Sequence, residues 1–281
     1  MKKFKKVFKW FGIVLLFLSL GAGVLYLIYL RPFIQKMKVI TTIQYDKELT
    51  LVLGGGGNSG ILVSDSLVMV IDTKMDAAAK DLYENAKQLA GTKPIFVVNT
   101  HIHPDHVGGN HYYKGSTILA GGTYTKEEWV NEAGEESLPN LWLKDRMDIK
   151  MNEDTATILN FGKNAHTGGD VFVYLHKRKL LFGGDVILNK QNTIIMGRAD
   201  PEGYLQAFDF LGKEFEIRRV VPGHGNPGGK EILTEYEQYF KDMKLAAEDD
   251  SQRKALILKY KDWSSIPVFM SPEATIRAFK K

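Results

Sequence analysis

Three imidazoles and a carboxylate fall within six residues: His101, His103, Asp105 and His106 in the stretch THIHPDHVGGN. They directly follow IFVVNT (residues 95–100), an apolar run that reads as a buried strand. A core cannot absorb four such side chains at the end of a strand, so this loop must open onto a cleft. The C-terminal edge of a sheet is where α/β architectures collect ligands, because the strands hold the loop bases while the loops stay open. Imidazole and carboxylate are donors for zinc or iron, and the tight alternation aims several of them at one point. His166, Asp185 and His224 follow later, each on a short loop bounded by glycine. Seven candidate ligands on loops predict a two-metal site.

The flanking pattern places these loops. Residues 40–53 read as two edge-type strands turning at Asp46-Lys47. Gly54 to Gly57 are four consecutive glycines, but no Lys-Ser/Thr follows, so a phosphate cradle gives way to a tight, sterically open loop near the site. Asn58 and Ser59 lead into a hairpin turning at Ser64-Asp65-Ser66, whose second strand, VMVID, ends at Asp72. Residues 77–89 have helical spacing. Beyond the motif come a short helix from Asn110, a strand at 116–122, and a mixed stretch at 123–150. That stretch carries a helix at 126–133 and is expected to wall the substrate pocket. A second run of strands turns at residues 176–179, followed by a helix at 201–213, a strand and loop ending in PGHG, a helix at 231–248 and a short terminal helix. Strands, then helix, then a ligand-bearing strand end occur twice, which predicts two similar sheets with helices outside.

Residues 1–38 are different material. Lys2, Lys3, Lys5, Lys6 and Lys9 precede residues 10–30, which carry no charge. As a helix, that run spans roughly 30 Å, enough for a bilayer. The basic flank predicts a cytoplasmic N-terminus and an extracytoplasmic catalytic part. The apolar run continues past Ser19-Leu20-Gly21-Ala22-Gly23, favouring an uncleaved signal anchor over a cleaved signal peptide, which would give a secreted protein. The expected division is therefore 1–38 (cytoplasmic tail, transmembrane anchor and linker) and 39–281 (one catalytic domain). Of the 37 basic and 33 acidic residues, eight basic and no acidic ones fall in 1–38, leaving the remainder mildly acidic. That balance argues against a nucleic-acid partner. With no cysteine, there is neither a thiolate ligand nor a thiol nucleophile.

The H-x-H-x-D-H pattern, with His166 in NAHTGGD, Asp185 in LLFGGD, His224 in PGHG and Asp72 closing VMVID, resembles the metallo-β-lactamase superfamily in all five motifs and in order. The resemblance spans roughly residues 40–230 and implies an αββα sandwich of two mixed β-sheets flanked by helices. It further implies that His101, His103 and His166 hold one metal, that Asp105, His106 and His224 hold a second, and that Asp185 bridges them. Zinc is the expected ion, with iron or manganese also suited to such donors. The implied chemistry is hydrolysis by a bridging hydroxide, with Asp105 as both a ligand and the acceptor that orients it. Asp72 is the candidate outer partner of a ligating imidazole, a strand-end cap being the alternative. Thr167 and Asn99 read as local caps, Asp170 as the start of a strand, and His111 and His176 as bystanders.

Departures from the family narrow the substrate, expected to be a small molecule. The best-known zinc β-lactamases carry cysteine or lack the bridging acid where Asp185 stands, and quorum-type lactonases carry a tyrosine where this chain has Leu188. The expected activity is hydrolysis of a small ester, thioester, lactone or amide. The alternatives are a β-lactamase-like amidase and a mononuclear iron persulfide oxygenase. The anchor is checked by sequencing the N-terminus of protein isolated from cells. A start at residue 1 in the membrane fraction is expected, whereas a start near residue 24 would mark a cleaved signal.

Overall fold

The computed structural model describes residues 39–266 and 269–280, together with residues 10, 15, 19–24, 26–31 and 35. The chain forms two compact units, residues 1–37 and 38–281. In the first, residues 19–24 are helical and Tyr26–Leu30 form a π-helical turn, all exposed. The expected anchor at 10–30 lies in part outside the described residues. Among those described, no helix is long and apolar enough to cross a membrane.

The second unit is built on two sheets. The first contains β1 (Thr41–Gln44), β2 (Leu49–Leu53), β3 (Ser59–Val63), β4 (Val68–Ile71), β5 (Ile95–Val98), β6 (Thr117–Gly121) and β7 (Leu141–Leu143), in that spatial order. Pairing is antiparallel from β1 to β4 and parallel from β4 to β7. The second sheet is ordered β13 (Gly228–Gly229), β12 (Arg219–Val221), β11 (Leu180–Phe182), β10 (Val171–Leu175), β9 (Asp154–Asn160), β8 (Arg146–Met151), and only β11 and β12 are parallel. Both sheets are mixed, as the αββα sandwich requires.

The two-residue period of a strand sorts the apolar side chains into layers. In β4, Met69 and Ile71 face the second sheet and pack with Val171, Val173, Leu180 and Phe182. Val68 and Val70 face outward onto α1 (Asp76–Ala90), meeting Leu82, Ala86 and Ala90. The outer face of the second sheet, through Phe172, Tyr174, Leu181 and Val220, is covered by α4 (Pro201–Glu214), α5 (Glu231–Glu248) and α7 (Pro272–Phe279).

Three details differ from the sequence reading. Strand β2 is not an edge strand: it is buried throughout between β1 and β3, while β1 alone forms the exposed edge. The 123–150 stretch holds α3 (Lys126–Ala133), as expected, but its second half supplies β7 to one sheet and β8 to the other. It is the crossing between the two layers: β7, three residues long, is too short to show a period, whereas β8 (RMDIKM) alternates charged and apolar residues as an edge strand does. A further helix, α6 (Asp250–Lys259), buries no residue and so leaves no apolar period to read.

Opposite the ligand-bearing loops, Arg178 in the β10–β11 turn ties the sheets together. Its guanidinium donates to Asp46 and Glu48 of the β1–β2 turn at 2.7 and 2.8 Å, and to Asp154 of β9 at 2.7 Å. Asp154 is almost fully buried. Removing one partner of a buried pair leaves an uncompensated charge, which typically costs about 3–5 kcal/mol. Arg178→Met should therefore lower the free energy of chemical unfolding by that order, and a loss below about 1 kcal/mol, the range of an exposed pair, would contradict the role assigned to it.

Candidate metal centre

The motif loop leaves β5 beside the end of β4. His103 is extended, as a residue before proline must be, and Pro104 opens a one-turn helix, α2 (Pro104–Val107), that carries Asp105 and His106. His166 lies on the loop before β10. Asp185 sits on a 3-10 turn, Gly184–Val186, after β11, and His224 on the loop after β12. Every ligand-bearing loop therefore opens at the same end of the sandwich.

Two groups of donor atoms result, one of His101, His103, His166 and Asp185, the other of Asp105, His106 and His224. In the first, His103 Nδ1 lies 3.1 Å from His101 Nε2 and 2.9 Å from His166 Nε2, and Asp185 Oδ2 is 3.5 Å from His166 Nε2. In the second, His224 Nε2 lies 3.1 Å from Asp105 Oδ2, and His106 Nε2 lies 3.7 Å from Asp105 Oδ2. Asp185 reaches both groups, with Oδ1 at 3.2 Å from His106 Nε2 and Oδ2 at 3.5 Å from His224 Nε2. Donors about 2.1 Å from a tetrahedral ion stand about 3.4 Å apart, so these separations match the edges of metal coordination shells. His106 Nε2 and Asp185 Oδ1 are buried with no hydrogen-bond partner. Such atoms are costly unless something satisfies them, and a cation between them would. The donor set fits two divalent ions.

The electrostatics separate the groups. Burial pushes the pKa of His101 and His103 down and that of His166 to about 3, keeping them in the neutral form that binds metal. Burial opposes protonation of His106 too, but Asp72, Asp185 and Asp105 outweigh it and raise its pKa well above the ordinary value. His224 is lifted to about 9 in the same way, by Asp185 and Asp105 against burial. Asp185 is held well below the carboxylate range, its burial overcome by His224 and His106.

The outer partners are specific. Asp72 Oδ2 lies 2.7 Å from His106 Nδ1, while Thr100 donates to the same carboxylate through its backbone N–H and its hydroxyl, both at 2.7 Å. Asp72 holds a left-handed backbone, with φ of 56°. Behind the first group, His166 Nδ1 lies 2.7 Å from the hydroxyl of Tyr204 on α4. The backbone of His166 is held by Asp170, which precedes β10 as expected but also accepts from the N–H groups of His166 and Thr167. Asn99 is not a cap: it forms paired side-chain hydrogen bonds with Asn110 and so tethers the turn after the motif. Thr167 stays local, bonding to Asp170 and Gly169. His111 bonds to the Gly108 carbonyl, and His176 bonds to Thr157. Neither joins the site.

The tetraglycine loop is near the site but is not open. A Cβ on Gly57 would lie 2.2–2.6 Å from the His106 ring, so only glycine lets the backbone close over that imidazole. Gly223 is under the same constraint: its Cβ would fall 2.0 Å from Asp185 Oδ1. Lys74, fully buried, donates to the carbonyls of Gly54 and Gly57 at 2.6 and 2.7 Å and pins the loop. On the opposite rim, Glu132 of α3 lies 4.0 Å from His103 Nε2, and Arg198 stacks over Tyr124 while pairing with Glu128. Thr100, Tyr204 and Lys74 carried no readable signal in the sequence.

The profile of the Metallo-beta-lactamase superfamily matches residues 52–224. The chain belongs to that superfamily. Among curated proteins, a metallo-beta-lactamase type 2 from Bacteroides fragilis is 25% identical over 188 residues, 64% of this chain and 74% of the relative. Human acyl-coenzyme A thioesterase MBLAC2 is 23% identical over 175 residues, 53% of this chain and 62% of that protein. Among solved structures, a metallo-beta-lactamase from Pontibacter korlensis superposes with a TM-score of 0.63 at 19% identity, over 72% of this chain and 99% of that one, a likeness of fold. The chain is thus a hydrolase of the metallo-beta-lactamase superfamily carrying a candidate metal-binding cluster of histidines and aspartates.

The raised pKa values of His106 and His224 give a sign for metal uptake by this superfamily member. Their raised pKa values favour the protonated form in the metal-free state, and that proton must leave on binding, whereas burial favours the neutral form of His101, His103 and His166. Apparent metal affinity should therefore fall as pH drops below about 9, where His224 titrates. Calorimetry in buffers of different ionisation enthalpy should record net proton release on metal uptake at pH 7, to which the raised histidines contribute. Release of none would contradict this charge assignment.

Proposed function

We propose that the chain is a binuclear metal hydrolase, zinc being the expected ion, that cleaves a small ester, thioester, lactone or amide. The observation carrying this reading is the position of Asp185, a single carboxylate within 3.2–3.5 Å of imidazoles from both donor groups. His101, His103 and His166 would hold one ion, Asp105, His106 and His224 the other, and Asp185 both. The ions would supply an ionised water as nucleophile near neutral pH and polarise the scissile carbonyl. Asp185 touches both groups and would place negative charge beside both ions, offsetting their repulsion. Asp105 is the more exposed of the two acids, its side chain 22% accessible against 11% for Asp185. It remains ionised, since His106 and His224 hold its pKa far down against burial, and so can accept a hydrogen bond from the attacking water and orient it. Asp72 fixes His106 in the tautomer that presents Nε2 to the site.

A β-lactamase-like amidase is the second reading. The identity to the Bacteroides fragilis enzyme favours it, and the aspartate at position 185 disfavours it. For location, we propose that residues 10–30 anchor the chain in a bilayer with the catalytic unit on the extracytoplasmic side, or direct secretion if cleaved. The support is the uncharged run and its basic flank.

The test is metal content of the purified chain together with turnover on chromogenic ester, thioester, lactone, β-lactam and phosphodiester substrates. Two zinc per chain and turnover of one class are expected, whereas one iron with no hydrolysis would replace this reading with the persulfide oxygenase. His103→Ala and Asp185→Asn should each cut turnover by orders of magnitude while leaving the circular dichroism spectrum intact. Unchanged kinetics in either variant would overturn the two-metal assignment.

A further inference from the structure

His106 and His166 are steadied by different chemistry. Behind His106 stands a carboxylate, Asp72. Behind His166 stands a phenol, with Tyr204 Oη 2.7 Å from Nδ1 and Tyr204 fully buried. The chain continues inward from that phenol, with Thr193 Oγ1 at 3.1 Å from Tyr204 Oη and Thr193 itself buried. With Nε2 of His166 given to a metal ion, the neutral ring would carry its proton on Nδ1. That N–H donates to Tyr204 Oη, and the Tyr204 hydroxyl is then free to donate to Thr193. The hydroxyl chain fixes the ring orientation, while ligation through Nε2 would set the tautomer.

The base of this chain is anchored from elsewhere. The Asn192 N–H donates to the Ser264 carbonyl at 2.9 Å, the Asn192 side-chain amide donates to the same oxygen at 3.2 Å, and the Ser264 N–H donates to the Lys190 carbonyl at 3.0 Å. Residue 264 lies beyond the 52–224 region that the superfamily profile matches. Tyr204 is also clamped by a stack on Phe240 of α5, with ring centroids 4.2 Å apart.

We propose that Tyr204 and Thr193 are the positioning residues of the three-histidine site. They orient His166 through a relay of neutral hydroxyls that the C-terminal segment, through Ser264, holds in place. This rests on the two-metal reading above. Removing the outer partner of a ligating histidine typically lowers metal affinity about 10–100-fold. Tyr204→Phe keeps the ring and its stack but deletes the hydroxyl.

The experiment is zinc competition against a chromophoric chelator, paired with cobalt(II) absorption spectra, on the full chain and two variants. Tyr204→Phe should weaken one of the two ions about 10–100-fold and alter the cobalt spectrum of that ion alone, leaving the other at its wild-type affinity. Thr193→Val, which leaves both Tyr204 and its stack, should shift the same ion in the same direction by less. If Tyr204→Phe binds zinc like the wild type, with an unchanged cobalt spectrum, the inference is overturned. If Tyr204→Phe does not fold, Thr193→Val decides, and wild-type affinity there overturns it. A wild-type chain that takes up no metal overturns the two-metal reading itself, and this inference with it.

Discussion

The carboxylate of Asp185 is buried among four imidazoles, from His101, His106, His166 and His224, at 3.2–3.9 Å. A buried carboxylate is tolerated only where positive charge or hydrogen bonds compensate it, so the surroundings of Asp185 are fixed by that need. Those imidazoles arrive on loops of both sheets: His101 and His106 after β5 of the first, His166 and His224 beside β10 and β12 of the second. The site therefore exists only while the sheets are packed face to face through the inner apolar layer of Met69, Ile71, Val173 and Phe182. Arg178 closes the same two sheets at the far end.

Close approach of backbone to ligand is the second requirement. His106 is packed beneath Gly57, and Asp185 beside Gly223, with no room for a side chain on either glycine. Lys74 holds the glycine loop down, and Gly57 in turn donates its N–H to the Asp105 carbonyl at 3.0 Å. Loop and motif turn form one unit, in which the buried Lys74 Nζ ties down the four glycines. The same logic operates behind the imidazoles, where Asp72 and Tyr204 each restrict a ring to one orientation. A carboxylate adds negative charge behind His106, whereas a phenol adds none behind His166, so the two donor groups differ electrostatically as well as in composition.

Much of this was legible in the chain. The seven candidate ligands could be named because imidazoles and carboxylates at apolar strand ends have no packing explanation, and the structure gathers all seven into two adjoining donor groups. Two sheets with helices outside were legible because apolar strand runs alternate with amphipathic helices in two similar halves, and the αββα sandwich itself was implied by the family resemblance. Less legible were β7, three residues long, whose strand character comes from its pairing with β6, and the sheet that β8 joins, since its alternating RMDIKM marks a strand but not its partner.

What the sequence determined was therefore local: which side chains have donor chemistry, which runs must be buried, and where glycine interrupts them. What only the tertiary structure decided were the partners. Tyr204 stands 38 residues from His166, and a tyrosine on an amphipathic helix looks like ordinary core. Lys74 reads as a surface lysine until Gly54 and Gly57 fold over its Nζ. The physical reason is common to both. A hydrogen bond depends on positions to within a fraction of an ångström, and those positions are set by the packing of distant elements, which no spacing along the chain encodes.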